Sequence, residues 1–277
     1  MDFCCPVCGL PLVTVDNLIK RCAGGHSFDR ARAGYYNLLV GAGAGTHGDN
    51  REMVEARRAF LSAGHYAPLA ERVAALAAES IGRGGTVLDV GAGEGYYTDA
   101  VCRALRAAGV AADVLAFDIS RDAAKQLARR NSDIRAAVAS AYSMPVGDSS
   151  CDLALLLFSP LAIEEISRVL KPRAKFIMVF PGEMHLFGLK RAIYDTPYKN
   201  KPEPTELRGF RLLSDEELRY EITLADPTDI RNLFMMTPYA YRTGKEGRER
   251  ALSLDRLATE VSFRILVYEK EEKSTGV

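Results

Sequence analysis

Four residues near the start of the chain have the types and spacing of a closed metal site. Cys5-Pro-Val-Cys8-Gly9 places two thiols on one tight turn. After thirteen intervening residues, Cys22-Ala-Gly-Gly-His26 adds a third thiol and an imidazole. Two such pairs supply four soft or borderline ligands, which suits tetrahedral zinc. With all four positions filled by protein, zinc would be structural and have no open site for catalysis. A segment this short needs a metal to hold its fold. Cys4 is an ambiguous neighbour, and Cys102 and Cys151 read as ordinary buried thiols.

A second chemical signal is Leu88-Asp89-Val90-Gly91-Ala92-Gly93-Glu94-Gly95. Glycines at 91, 93 and 95 let a backbone turn sharply and admit a ligand where a Cβ would block it. The spacing is G-x-G-x-G, whereas dinucleotide sites favour G-x-G-x-x-G. It suits the methionine portion of S-adenosylmethionine, which has no pyrophosphate to cradle. Asp118, 23 residues beyond Gly95, ends the next strand and is placed to accept from the ribose hydroxyls. Asp89 flanks the turn. Ala139-Ser140-Ala141 follows the third strand and would pass the adenine. The competing reading is a Rossmann-like turn for another nucleotide.

These residues need a scaffold, and the hydrophobic pattern supplies one. Met53, Ala56, Phe60 and Leu61 share one helical face, and a second helix is predicted from about Pro68 to Ser80. Strands are predicted at Thr86–Val90, Val114–Phe117, Ile134–Ala139 and Leu153–Phe158, with helices at Tyr97–Ala108, Arg121–Arg130 and Ile163–Leu170. The fourth strand is apolar throughout, as a strand covered on both faces should be. The alternation implies an α/β fold with a parallel, doubly wound sheet. A strand at Phe176–Phe180, the alternating LRYEITL, a helix at Pro227–Met236 and a last strand, VSFRILVYEK, complete the chain. By analogy with class I methyltransferases, the last two strands pair at one edge. Residues 41–50, GAGAGTHGDN, read as a flexible linker. The expected units are therefore a zinc-binding module at 1–40, the linker at 41–50 and a cofactor domain at 51–277.

The whole chain bounds these readings. It has 277 residues, 48% hydrophobic and 26% charged, with a formal net charge of zero. That suits one catalytic domain with an appendage. Charge neutrality counts against a protein that coats nucleic acid broadly, but leaves room for a local basic patch. No run of about 18 apolar residues suggests a membrane span. The opening MDFCCPVC lacks a secretory pattern, so a cytoplasmic location is expected.

Taken in blocks, CPVCGLPL, HSFDRARAGYYNLL, GDNREMVEARRAFLSAGHYAPL and VLDVGAGEGYYT make the chain similar to the ribosomal RNA large-subunit methyltransferase A (RlmA) family. The likeness continues more loosely through PGEMHL and MTPYAYR. It implies a class I Rossmann-like methyltransferase sheet with an N-terminal zinc module. It also implies methylation of guanine N1 in a hairpin of large-subunit (23S) ribosomal RNA, with S-adenosylmethionine as donor. One branch of the family acts on a neighbouring guanine and protects ribosomes from tylosin-type macrolides, and a homodimer is a candidate assembly. Carried over by position, the family's zinc ligands fall on Cys5, Cys8, Cys22 and His26, and its cofactor contacts on Tyr66, Tyr97, Thr98 and His185. Lys171-Pro-Arg-Ala-Lys departs from the usual glycine turn after Lys-Pro, which alters a surface turn.

The resemblance directs attention to RNA-facing residues. Phe158, Ser159 and Pro160 follow the fourth strand and should border the methyl group. No general base is evident. A paired guanine must leave its stack before N1 is reachable, often with aromatic support; Tyr36, Phe158 and Tyr239 are candidates. Arg30, Arg32, Tyr35 and Tyr36 beside the zinc ligands are expected to read RNA. Residues 171–201 carry seven Lys/Arg against two acids, so Lys190 and Arg191 are expected to meet phosphates. Two other readings compete: a small-molecule methyltransferase, and a non-catalytic RNA-binding or ribosome-assembly factor on the same fold. The metal module argues against the first, and the intact glycine turn with Asp118 against the second.

Overall fold

The computed structural model describes residues 2–16, 18–40 and 48–272. Three short strands, β1 (Val13–Val15), β2 (Ile19–Arg21) and β3 (Ser27–Asp29), form a separate antiparallel ribbon. β4 (Tyr36–Asn37) then leaves the ribbon and becomes the edge of a second, larger sheet. Helices α1 (Arg51–Ser62) and α2 (Ala67–Ile81) follow. Asn50 caps α1 by accepting the Met53 N–H at 3.0 Å.

The alternating region gives β5 (Gly84–Val90), α3 (Tyr96–Ala107), β6 (Ala111–Asp118), α4 (Arg121–Arg130) and β7 (Ile134–Val138). It continues through β8 (Cys151–Leu157), α5 (Ile163–Val169), β9 (Leu170–Pro181) and α6 (Phe187–Ile193). The remaining elements are β10 (Phe210–Leu224), α7 (Pro227–Met235), α8 (Tyr239–Arg242), α9 (Lys245–Leu252) and β11 (Leu257–Lys270). The large sheet runs β10-β11-β9-β8-β5-β6-β7-β4. Pairings from β4 to β9 are parallel, and β9–β11–β10 are antiparallel. The chain travels from β5 through β6 to β7 in one direction, then crosses back to β8 on the other side of β5. Such a switch opens a crevice at the carboxyl ends of the strands, where ligands bind in this architecture.

Period-two alternation along β8 divides the core. Leu153, Leu155 and Leu157 face one layer, and Ala154 and Leu156 face the other. The first layer is helical, with Phe60 of α1, Leu69 of α2, Val101 of α3 and Leu233 of α7 buried in it. The second is only partly helical, through Ile166 and Val169 of α5. The N-terminal segment supplies the rest: Phe3, Cys5, Leu12 and Cys22 pack with Leu115, Phe117 and Ala139. Burying a side chain the size of Phe3 or Leu12 contributes roughly 1.5–3 kcal/mol before entropy is counted. Backbone bonds add to the join, Cys4 N–H to Pro145 at 2.7 Å and Leu38 N–H to Val138 at 2.9 Å.

This packing changes the expected picture of a loosely tethered module. Residues 41–47 of the glycine-rich stretch lie outside the described residues. Residues 48–50 are fastened: the Asp49 carbonyl accepts the Ser120 hydroxyl at 2.6 Å, and Asn50 is the cap of α1. Among the described residues no helix is long and apolar enough to cross a membrane.

Candidate cofactor and metal sites

The ribbon turns bring the four metal-ligand candidates together. The ligand atoms of Cys5, Cys8, Cys22 and His26 all lie within 4.8 Å of one another. Cys8 Sγ is 3.6 Å from Cys22 Sγ, and Cys22 Sγ is 3.4 Å from His26 Nδ1. A tetrahedral zinc with Zn–S near 2.3 Å and Zn–N near 2.1 Å sets its ligands about 3.5–3.8 Å apart. The donor set therefore fits zinc in chemistry and spacing. Gly24 lies against the cluster, and a Cβ there would stand 3.4 Å from Cys8 Sγ. Burial raises the Cys22 thiol, yet hydrogen bonds with His26 and Cys8 carry it down to about 6. The result favours the thiolate a metal requires. Cys4 turns away, toward Gly147.

The glycine turn is built as a strap between β5 and α3. Gly91 (φ 72°), Gly93 (φ 57°) and Gly95 (φ 86°) are all left-handed, so side chains there would be strained. At two of the three, space is closed as well: a Cβ on Gly91 would collide with Ser159, and one on Gly95 with Leu127. The amides of Gly91 and Ala92 both donate to the Phe117 carbonyl, at 3.0 and 2.9 Å. Gly93 N–H donates to Asp118 Oδ2 at 2.9 Å, and Ser120 N–H to Asp118 Oδ1 at 2.8 Å. Asp118 thus ties the turn to the end of β6. Each of its oxygens retains a lone pair for a further donor, such as a ribose hydroxyl.

Asp89 is buried beneath the turn and accepts the Thr98 hydroxyl at 2.6 Å. Burial pushes its carboxyl up to about 7. Glu94, also buried, pairs with Arg130, while its Oε1 has no partner among the described residues.

Aromatic rings line the crevice beyond. Tyr66 packs edge-on to Phe263 at 4.9 Å, and His185 lies 4.9 Å from the same ring. Phe158 is 5.8 Å from Phe263 and 6.1 Å from Tyr97. Phe158 follows the end of β8 with φ 56° and remains 43% exposed, which suits a stacking surface. Ser159 and Pro160 continue that rim. His185 is buried, and desolvation lowers its imidazole to about 3. It is therefore neutral at ordinary pH.

The structure assembles Tyr66, Tyr97, His185 and Phe158 in one aromatic group, and Asp89, Gly91, Gly93, Gly95, Thr98 and Asp118 in the turn beside it. Asp49, Arg57, Glu94 and Phe263 join them without having been foreseen. Asp49 and Arg57 could have been suspected only from their place in the GDNREMVEARR block; nothing local marks Phe263.

Two expected RNA contacts are corrected. Tyr36 is buried as the edge strand β4, with the Lys20 ammonium 5.0 Å from its ring centre. Lys190 is fully buried and donates to the Tyr198 carbonyl at 3.1 Å and Asn200 Oδ1 at 2.6 Å. It cannot reach a phosphate. The basic stretch around it is largely neutralised by acids the local count missed. Lys171 pairs with Asp152 at 2.7 Å, Lys175 with Glu269 and Arg173 with Glu272. Arg191 is exposed and lies over the Phe187 ring. Arg30 and Arg32 are exposed beside the ribbon, and Tyr35 is half-buried against the main core.

Comparison with known proteins agrees with this geometry. Residues 3–40 match the family model described as RlmA, N-terminal, a zinc ribbon, and residues 87–173 match a methyltransferase domain. The chain is 37% identical over 192 residues to the 23S rRNA (guanine(748)-N(1))-methyltransferase of Streptomyces fradiae, covering 68% of this chain and 66% of that one. That match spans just under two thirds of the relative's length. A protein of Micromonospora griseorubida, provisionally named as a 23S rRNA (guanine-N(1)-)-methyltransferase, is 37% identical over 203 residues and 67% of each chain. A Bacillus subtilis (strain 168) protein with the same provisional name, YxjB, is 31% identical over 253 residues and 88% of each chain.

Proposed function

Because this chain belongs to the RlmA family of 23S rRNA (guanine-N1)-methyltransferases, we propose that it methylates N1 of one guanine in a hairpin of large-subunit ribosomal RNA. The observation that carries the reading is a Cys/His cluster and a glycine turn closed by an acid, packed on one sheet. A metal ribbon with no open ligand position does not serve methyl transfer to a small molecule. The closed glycine turn is difficult to explain in a factor that binds no cofactor.

S-adenosylmethionine supplies an activated methyl group on a sulfonium, so the protein's task is alignment and exclusion of water. In this reading the turn at Gly91, Gly93 and Gly95 receives the methionine chain. Asp118 takes the ribose hydroxyls, and Ser140 lies on the adenine path. Asp89 offers negative charge below the cationic cofactor. Tyr66, Tyr97 and His185 wall the methyl end, His185 as a neutral donor or acceptor. Phe158 offers the ring on which an extruded guanine stacks, with Ser159 and Pro160 shaping the mouth. Cys5, Cys8, Cys22 and His26 hold structural zinc, and Arg30, Arg32, Tyr35 and Arg191 face RNA. Residues 1–40 form the RNA-reading unit and 51–277 the catalytic one, working in the cytoplasm.

The test is methyl transfer from labelled S-adenosylmethionine to 23S rRNA fragments, followed by nucleoside mass spectrometry. The expected product is 1-methylguanosine at one position. Methylation of another atom, or none with zinc-loaded protein, overturns the reading.

A further inference from the structure

Four amides of the glycine turn are already engaged within the protein. Gly91 and Ala92 amides are spent on Phe117, the Gly93 amide on Asp118, and the Gly95 amide on the Ala92 carbonyl. Phosphate-binding glycine loops work in the opposite way, leaving their amides free to point at the ligand. The cofactor nevertheless brings a carboxylate to this end of the molecule. In a partly closed crevice a full positive charge meets it more strongly than a backbone amide does.

One side chain stands in the right place. Unlike its neighbours, Gly93 opens onto free space, where a Cβ would meet only the Arg57 guanidinium, at 3.8 Å from Nη1. Arg57 projects from α1 across the turn. It is paired with Asp49 and donates to the Met236 carbonyl at 3.3 Å. Its charge acts on Asp118, Glu94 and Tyr97, which surround the same turn. Arg58, the next residue, is exposed and bonded to Gln126 on α4 instead.

We propose that Arg57 is the receptor for the methionine carboxylate of S-adenosylmethionine, taking it in exchange for the carboxylate of Asp49. The proposal rests on the cofactor reading above. Replacing one carboxylate by another keeps the guanidinium paired throughout, so no buried charge is stranded. The planar fork of Arg can hold a carboxylate through two parallel bonds and still reach the Met236 carbonyl. The pairing with Asp49 holds the Arg57 guanidinium over the open side of Gly93.

The test uses calorimetric binding to the full-length, zinc-loaded chain, with S-adenosylmethionine and decarboxylated S-adenosylmethionine as paired probes. Wild-type protein should prefer the intact cofactor. Arg57→Gln should weaken it by about 10- to 100-fold, the scale of a lost charge-assisted bond. The same change should alter decarboxylated cofactor affinity less than about twofold, since that ligand never used the charge. Arg58→Gln should alter neither. If Arg57→Gln does not fold, Arg57→Lys keeps the charge without the fork and should retain part of the preference. Equal weakening of both ligands makes Arg57 a packing residue and overturns the proposal, as does unchanged affinity for both. Wild-type protein that binds neither ligand overturns the cofactor reading itself.

Discussion

Tyr66 Oη lies 3.4 Å from His185 Nε2. The other ring nitrogen, Nδ1, accepts the backbone N–H of Ser262 at 3.3 Å. An acceptor at Nδ1 must be unprotonated, so the proton of the neutral ring sits on Nε2 and points at Tyr66. The pair joins the start of α2 to the segment after β9 through side chains 119 positions apart. It fixes both walls of the crevice by a single neutral hydrogen bond.

His185 should therefore not titrate in the neutral range. Its folded value, about 3, lies below the usual 6.5. A depressed value contributes stability above pH 6.5, and that stability is lost as pH falls toward 3. Between pH 6.5 and 4, wild-type protein should lose more stability in urea unfolding than His185→Gln. Equal acid sensitivity would show that His185 is not held neutral.

Asp89 gives the opposite sign. Its folded value, about 7, lies above 3.8. The buried neutral acid contributes stability that is fully present below pH 3.8 and lost as pH rises through 7. Asp89→Asn should remove this alkaline loss. It should also flatten the pH dependence of S-adenosylmethionine binding, which in wild type should tighten as Asp89 ionises beneath a cationic ligand. Identical pH profiles for the two proteins would remove Asp89 from the site.

Zinc removal should weaken more than the ribbon. Cys5 and Cys22 share a buried cluster with Leu115 and Phe117 of the main sheet. Chelation should lower the melting temperature of the whole chain, in one transition shared by near- and far-ultraviolet circular dichroism. Elemental analysis should find one zinc per chain, lost in Cys22→Ser. A main-sheet transition indifferent to chelator would mean that the ribbon is only loosely attached.

Lys190 and Arg191 should separate cleanly despite adjacency. Lys190→Met removes the donor to the Tyr198 carbonyl and to Asn200 Oδ1 and should cost about 1–3 kcal/mol of stability. Arg191→Glu should leave stability near wild type and lower the salt slope of RNA binding by about 1 or more. A stability loss from Arg191→Glu alone would reverse these assignments.

Several features were legible in the residues themselves. Cys5, Cys8, Cys22 and His26 announced zinc because two ligand pairs on tight turns need little beyond their own spacing. The Gly91-Ala-Gly93-Glu-Gly95 turn marked the cofactor end because its backbone demands glycine locally. The helix at Arg121–Arg130 was bounded as found, since Ser120 caps it and its apolar face repeats at helical period. β10 was longer than LRYEITL suggested, because pairing along the whole of β11 supports residues whose own pattern is weak.

Only the tertiary structure decided which charges are spent. Lys171, Lys175 and Arg173 read as a basic patch in sequence, but strands and loops up to about a hundred residues away supply their acids. Lys190 looked like its neighbour Arg191, yet one is buried and the other exposed. Tyr36 looked like an RNA-stacking ring until β4 paired with β7. Nothing in the GDNREMVEARR block separates Arg57 from Arg58, yet folding lays only Arg57 over Gly93. Metal spacing and glycine turns are short-range requirements, written within a few residues of the chain. Burial and ion pairing depend on which distant surfaces meet, and folding alone brings those together.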